Sequence, residues 1–160
     1  MNNFIKKITF VIVCFKSINI VKKCINSIDS KAKILVVENS NNYLIKKELE
    51  KEFENVTVVI AGKNLGYGAG NNLGISKIKT PYAFILNPDS FLKKNCINEL
   101  YKVVTLLENK FKILAPKLIN NYGCFSKTLS DKKRRDTLKA IMDVLKQFSL
   151  TTCKLVEIEA

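Results

Sequence analysis

Strand-like and helix-like segments alternate along this 160-residue chain, and the alternation predicts an α/β fold, a parallel sheet with helices on both faces. Two further observations agree. The strand-like runs are short, apolar and rich in β-branched residues, as in strands buried on both faces. The unusual polar residues collect where those runs end, and an open parallel sheet holds its ligands there.

The first strand is expected over Ile8-Thr9-Phe10-Val11-Ile12-Val13-Cys14, and the spacing of Ile18, Val21, Ile25 and Ile28 predicts a helix over 18–28. Lys33-Ile34-Leu35-Val36-Val37 reads as a second strand. The turn cluster Glu38-Asn39-Ser40-Asn41-Asn42 separates it from a charged helix over about 43–53. A third strand is expected over 56–60, a helix from Gly68 to about Lys77, and a fourth strand over Tyr82-Ala83-Phe84-Ile85-Leu86, stopped by Pro88. Apolar Ile97, Leu100, Val103, Val104 and Leu107 mark a helix over about 92–109, followed by a strand-like run over 112–115. Beyond Pro116 the pattern gives a turn at Asn120-Asn121-Tyr122-Gly123, a helix from Ser130 or Asp131 to about Phe148, and an alternating strand over 154–158. With no linker in this pattern, residues 1–160 are expected to form a single domain.

Apolar residues are 47% of the chain and charged residues 26%, with 6 Gly, 3 Pro and no low-complexity tract, which excludes a disordered or collagen-like protein. The longest apolar run, from Phe10 to Phe15, is far below the roughly 20 residues of a membrane span. No small-residue cleavage site follows an apolar N-terminal stretch, so a cytoplasmic protein is expected. Five cysteines without a short CxxC spacing, and the absence of His, exclude a disulfide framework and the usual zinc sites. Acid–base or metal chemistry must then use Asp, Glu, Lys, Tyr or Cys. The net charge of +13 predicts attraction to polyanions: nucleic acid, an anionic membrane face or a phosphate-bearing small molecule. Because 25 of the 27 basic residues are Lys, dispersed along the chain, a solvated surface is an equally simple account.

Four stretches, in order, carry a resemblance. They are Ile8 to Ser17, then Ile34-Leu35-Val36-Val37-Glu38-Asn39-Ser40, then Asn64-Leu65-Gly66-Tyr67-Gly68-Ala69-Gly70-Asn71-Asn72-Leu73-Gly74-Ile75, and finally Phe84-Ile85-Leu86-Asn87-Pro88-Asp89-Ser90. Together they resemble the nucleotide-binding half of family 2 glycosyltransferases, which have the GT-A fold, and especially the rhamnosyltransferase-like branch that adds sugars to bacterial surface polysaccharides. The resemblance covers about residues 7–120, and its most specific part is the long Gly and Asn pattern of 64–75.

The resemblance implies transfer of a sugar from a nucleotide-diphospho-sugar, UDP- or TDP-linked, to a cell-surface polysaccharide or lipid-linked acceptor, with inversion at the anomeric carbon. It places Asp89 as the second acid of an Asp-X-Asp metal motif whose first position is Asn87 here. A carboxylate in a turn after a buried strand can hold Mg2+ or Mn2+ against two phosphates of the donor. A structural alternative stays open, in which Asn-Pro-Asp-Ser is an Asx-type turn that caps a helix at Leu92. Glu38 stands where the family usually has an Asp that hydrogen-bonds the nucleobase, and its extra methylene either still reaches the base or displaces it. The alternative is a strand-end Glu paired with a lysine. Phe15, Ser17 and Asn39 fall in the loops that contact the nucleotide in the resemblance, with Tyr more usual at Phe15. Lys63, Asn64, Gly66 and Asn71 belong to the loop beside the nucleotide-sugar. Gly66, Gly68 and Gly70 follow the third strand, not the first, and lack the last Gly of a dinucleotide fingerprint. They allow close backbone approach at a helix start, or, for Gly70 and Gly74, close packing of helix on sheet. Lys16 and Lys63 could act on phosphate as point charges.

An inverting transfer needs a carboxylate to take the proton of the acceptor hydroxyl. The family supplies it well beyond the Asn-Pro-Asp turn, but only 71 residues follow Asp89, with no Gly-rich loop and acidic stretch of the family's kind. The fold is therefore expected to be C-terminally truncated, and no base is nominated. Asp131, Asp136 and Asp143 read as a charged helix surface. Leu138, Ile141, Met142 and Leu145, flanked by Arg134, Arg135, Lys139 and Lys146, form an amphipathic basic stripe. It suits either a core-facing helix or peripheral contact with the anionic inner face of a membrane and a lipid-linked acceptor. Two other classes remain in view. One is a non-catalytic nucleotide-sugar-binding module or remnant. The other is a nucleic-acid-binding protein, which needs clustered basic residues and stacking aromatics, whereas Lys is dispersed and Trp absent, so no specific nucleic acid partner is expected.

Overall fold

The computed structural model describes residues 4–106, 113–116 and 155–158, the last two segments by their backbone. The chain forms two compact units, Met1–Lys94 and Asn95–Ala160. In the first, a short 3-10 turn over Ile5–Lys7 leads into β1 (Ile8–Cys14), α1 (Ile18–Asn26), β2 (Lys33–Glu38), α2 (Tyr43–Glu52), β3 (Val56–Ile60), α3 (Gly66–Lys77) and β4 (Tyr82–Ile85). The four strands make one parallel sheet in the order β3-β2-β1-β4. All four carboxyl ends therefore lie along one edge, as the alternation predicted.

β1 is the centre of this unit, and all seven of its residues are buried. Burying a Val or Ile side chain contributes roughly 1.5–3 kcal/mol, so the β-branched run is the main stabilising strip. Successive side chains point to opposite faces. On one face Val11 and Val13 meet α3 where that helix has no side chains. A Cβ on Gly74 would lie 2.5 Å from Val11 Cγ1, and one on Gly70 would lie 3.0 Å from Val13 Cγ1. The close-packing role of these two glycines is thus the one the structure shows. On the other face Phe10 stacks on Phe84 with ring centroids 4.9 Å apart. α1 packs on β1 and buries Val21, Cys24 and Ile25, while α2 packs on β3 and buries Ile45 and Leu49.

Two helix starts differ from the sequence expectation. α3 begins at Gly66 instead of Gly68, because side-chain acceptors cap its first turn: Asn39 Oδ1 takes Leu65 N at 2.9 Å and Asn64 Oδ1 takes Gly66 N at 2.9 Å. The helix expected from Leu92 begins at Cys96, so Asn-Pro-Asp-Ser does not cap it. Leu92 N instead donates to Ser27 Oγ at 3.1 Å, and a start at Leu92 would put Lys93 and Lys94 against the positive end of the helix dipole.

In the second unit α4 (Cys96–Leu106) buries Cys96, Leu100 and Val104 at one-turn spacing. β5 (Ile113–Pro116) pairs in parallel with β6 (Leu155–Ile158), Ile113 opposite Leu155. The turn expected at 120–123, the helix to Phe148 and its basic stripe lie outside the described residues. Among the described residues no helix is long and apolar enough to cross a membrane.

Candidate functional site at the carboxyl ends of the strands

The loops that leave β1, β2, β3 and β4 enclose an open cleft of about 460 Å³. Seven of the ten site residues expected from the sequence line it: Phe15 and Ser17 after β1, Asn39 after β2, Asn64 before α3 and Gly66 at its start, and Asn87 and Asp89 after β4. The sheet brings them together because parallel strands deliver their following loops to the same edge. Val13, Ile20, Tyr67 and Pro88 complete the wall. Sequence reasoning missed these four. Ile20 lies three residues after Ser17, one helical turn along, and Tyr67 is an aromatic inside the Gly-rich loop, so both left a signal.

The loop after β4 presents Asp89. Ser90 N donates to Asn87 O at 3.0 Å, closing a turn, and Cys24 Sγ donates to the same carbonyl at 3.6 Å. Ser27 Oγ donates to Cys24 O at 2.7 Å while accepting Leu92 N, so α1 grips the turn at both ends. Asp89 itself is exposed and makes no hydrogen bond or ion pair among the described residues. Its charge is felt nearby. Burial, with Asp89 adding to it, pushes the Cys24 thiol up to about 12. The Tyr67 phenol is raised by burial and further by Asp89, against a lowering hydrogen bond from Asn71.

The loops after β2 and β3 are locked to each other. Asn39, only 2% exposed, donates from Nδ2 to Asn64 Oδ1 at 3.0 Å and to Gly66 O at 3.2 Å, while its Oδ1 accepts Leu65 N. Gly66 has φ +76°, a left-handed conformation that its missing side chain makes easy. Beyond β1, Lys16 also adopts a positive φ of 53°. Its Nζ lies 5.5 Å from the centroid of the Phe15 ring, which is 46% exposed at the cleft.

Three expected site residues stand elsewhere. Glu38 is fully buried below the loop after β2, where Oε1 accepts Ser40 N at 3.0 Å and the Ser40 hydroxyl, and Oε2 accepts Asn42 N at 2.6 Å. Asn42 in turn caps α2, its Oδ1 accepting Leu44 N at 2.9 Å. Asn71 is buried within α3, Nδ2 donating to Tyr67 O at 3.0 Å and Oδ1 without a partner among the described residues. Lys63 is exposed beside the cleft and does not line it.

This arrangement suits an anionic, partly aromatic ligand. α1 and α3 both begin at the cleft, at Ser17 and Gly66, so two positive helix ends open toward it. The exposed Phe15 ring and the exposed Asp89 carboxylate both line it. Fold and site together define an α/β protein of the GT-A fold with an open cleft at the carboxyl ends of its strands. Residues 9–150 match the profile of glycosyl transferase family 2, and the chain belongs to that family.

Among curated relatives, a low-salt glycan biosynthesis hexosyltransferase, Agl10, of Haloferax volcanii is 28% identical over 120 residues, which is 72% of this chain and 38% of the relative. Among solved structures, residues 1–349 of TarS from S. aureus superpose with a TM-score of 0.56 at 14% identity, over 74% of this chain and 37% of that one. The same TarS segment in complex with UDP gives a TM-score of 0.56 over 78% of this chain and 39% of that one. The chain thus spans about two fifths of the length of these proteins.

Proposed function

We propose that this chain binds the nucleotide-diphospho-sugar donor of a family 2 glycosyltransferase, UDP- or TDP-linked, for transfer to a cell-surface polysaccharide or lipid-linked acceptor with inversion. The observation that carries this reading is the convergence of Phe15, Ser17, Asn64, Asn87 and Asp89 on one cleft. The hexosyltransferase relative and the UDP complex of TarS support it. In this reading residues 1–160 belong to one glycosyltransferase domain that works at the cytoplasmic face of the membrane, where nucleotide-sugars are available.

A divalent cation fits the donor set. Among the described residues no cluster of three acidic, Cys or His side chains exists, yet Mg2+ commonly takes one or two carboxylates and fills its remaining positions with phosphate oxygens and water. Asp89, exposed at the cleft, would supply the carboxylate, with the Asn87 side chain beside it. A divalent cation held there would supply positive charge against the diphosphate of the donor. The chain's own groups do the rest. Phe15 offers a stacking face to the base, the α1 and α3 ends favour the diphosphate, and Lys16 and Lys63 add positive charge at the rim.

Calorimetric titration with UDP and TDP, with and without Mn2+, tests this. Binding should tighten with metal, and Asp89→Ala should weaken the metal-dependent complex by about tenfold or more, the scale of a lost charged contact. Equal binding by both proteins, indifferent to metal, would remove Asp89 from the role. A second reading is favoured by one observation: among the described residues that line the cleft, Asp89 is the one carboxylate, and in the donor-binding reading it is taken up by the cation. In that reading the chain binds the donor without turning it over, and a nucleotide-sugar hydrolysis assay on the bound donor separates the two.

A further inference from the structure

Of the four lining residues that sequence reasoning missed, Tyr67 is the one with a hydrogen-bonding side chain. It stands in the first turn of α3, in the run Gly66-Tyr67-Gly68-Ala69-Gly70, where it carries the only side chain larger than a methyl group. A Cβ on Gly66 or Gly68 would meet nothing within 4 Å, so the room beside Tyr67 is open. A tyrosine placed for packing would be covered, yet Tyr67 is 48% exposed. Its backbone is held in place, because the buried Asn71 donates from Nδ2 to Tyr67 O at 3.0 Å.

A phenol is an O–H donor at neutral pH. Here burial and the charge of Asp89 keep its proton on, against a lowering hydrogen bond from Asn71, so the phenol lies close enough to Asp89 to feel that carboxylate. Two features of the site select the acceptor. Asp89 lines the same cleft and, in the donor-binding reading, carries the cation that takes the diphosphate. Tyr67 also belongs to the first turn of a helix whose positive end opens toward the cleft and favours an anion. Phosphate oxygens are charged acceptors, and a hydroxyl donating to one makes a short, strong hydrogen bond.

Resting on the donor-binding reading above, we propose that Tyr67 is a further donor-binding residue of the cleft, its hydroxyl donating to an oxygen of the nucleotide-sugar's diphosphate. The test is calorimetry of the unsubstituted chain and of Tyr67→Phe with UDP and with pyrophosphate, each in the presence of Mg2+. Tyr67→Phe keeps the ring and removes only the hydroxyl. It should weaken both ligands by about tenfold, the scale of one hydrogen bond to a charged oxygen, at an unchanged melting temperature. Unaltered UDP affinity overturns the proposal. So does a loss on UDP without a loss on pyrophosphate, which would put the hydroxyl at the nucleoside, and so does pyrophosphate that fails to bind where UDP binds. A loss of binding that comes with a lowered melting temperature is a packing effect and overturns it as well. Failure of UDP to bind the unsubstituted chain overturns the donor-binding reading itself and the proposal with it, so the two failures are distinct.

Discussion

Cys24 links the fold to the site through one buried thiol. It helps hold the Asp89 turn, and burial together with Asp89 moves its pKa from 9.0 to about 12. A thiol with a raised folded pKa keeps its proton in the folded state while the unfolded chain loses it. Stability is therefore unaffected below about pH 9 and falls as pH rises from there toward 12. Cys14 and Cys96, also raised by burial, act in the same direction. Urea midpoints measured between about pH 8 and about pH 11 should decline, and Cys24→Ala, although less stable at the outset, should decline less. Glu38 matters for stability for a different reason. Its replacement by Ala takes the acceptor from the part-buried N–H groups of Ser40 and Asn42, which costs up to about 1–3 kcal/mol for each group. Chemical denaturation of Glu38→Ala checks this.

At the scale of elements, α3 shows two kinds of glycine in one helix. Gly74→Ala must push its methyl into Val11, at the centre of β1, and overpacking of this kind costs about 1–3 kcal/mol. Gly68 has nothing within 4 Å of a Cβ and no left-handed backbone, so Gly68→Ala should be neutral or stabilise by up to about 1 kcal/mol. Paired thermal melts of the two variants decide whether the helix lies as close to the sheet as described. α1 carries a second element-level device, its grip on the turn after β4. Ser27→Ala removes the acceptor of Leu92 N. It should weaken Mn2+-dependent UDP binding about fivefold, the worth of one net hydrogen bond, while metal-free binding changes little. Ser27→Thr, which keeps the hydroxyl, should restore it.

For the whole molecule the net charge of +13 acts over a longer range than any contact. It raises the local concentration of anions, so UDP affinity should fall as salt rises from about 50 to about 300 mM, where the Debye length contracts below 10 Å. The cleft carries no row of stacking aromatics, so single-stranded DNA should bind weakly and lose affinity more steeply with salt than UDP does. Parallel titrations at both salt levels compare the two ligands. A chain that held DNA tightly at the higher salt while ignoring UDP would act as a nucleic-acid-binding protein on a glycosyltransferase fold.

The sequence by itself determined the α/β alternation, the limits of β1 and β3, and seven of the residues that line the cleft. A parallel sheet makes this legible: strands buried on both faces are written as apolar runs, and the loops at their carboxyl ends must meet. Tertiary structure alone decided where the side chains of those loops point. Glu38 and Asn39 are adjacent polar residues at a strand end, yet one turns under its loop and the other ties two loops together, because a buried polar atom goes to the nearest donor or acceptor the fold supplies. The reach of Ile20 and Tyr67 into the cleft was settled in the same way. Which face a helix turns to a sheet edge depends on packing that no local pattern contains.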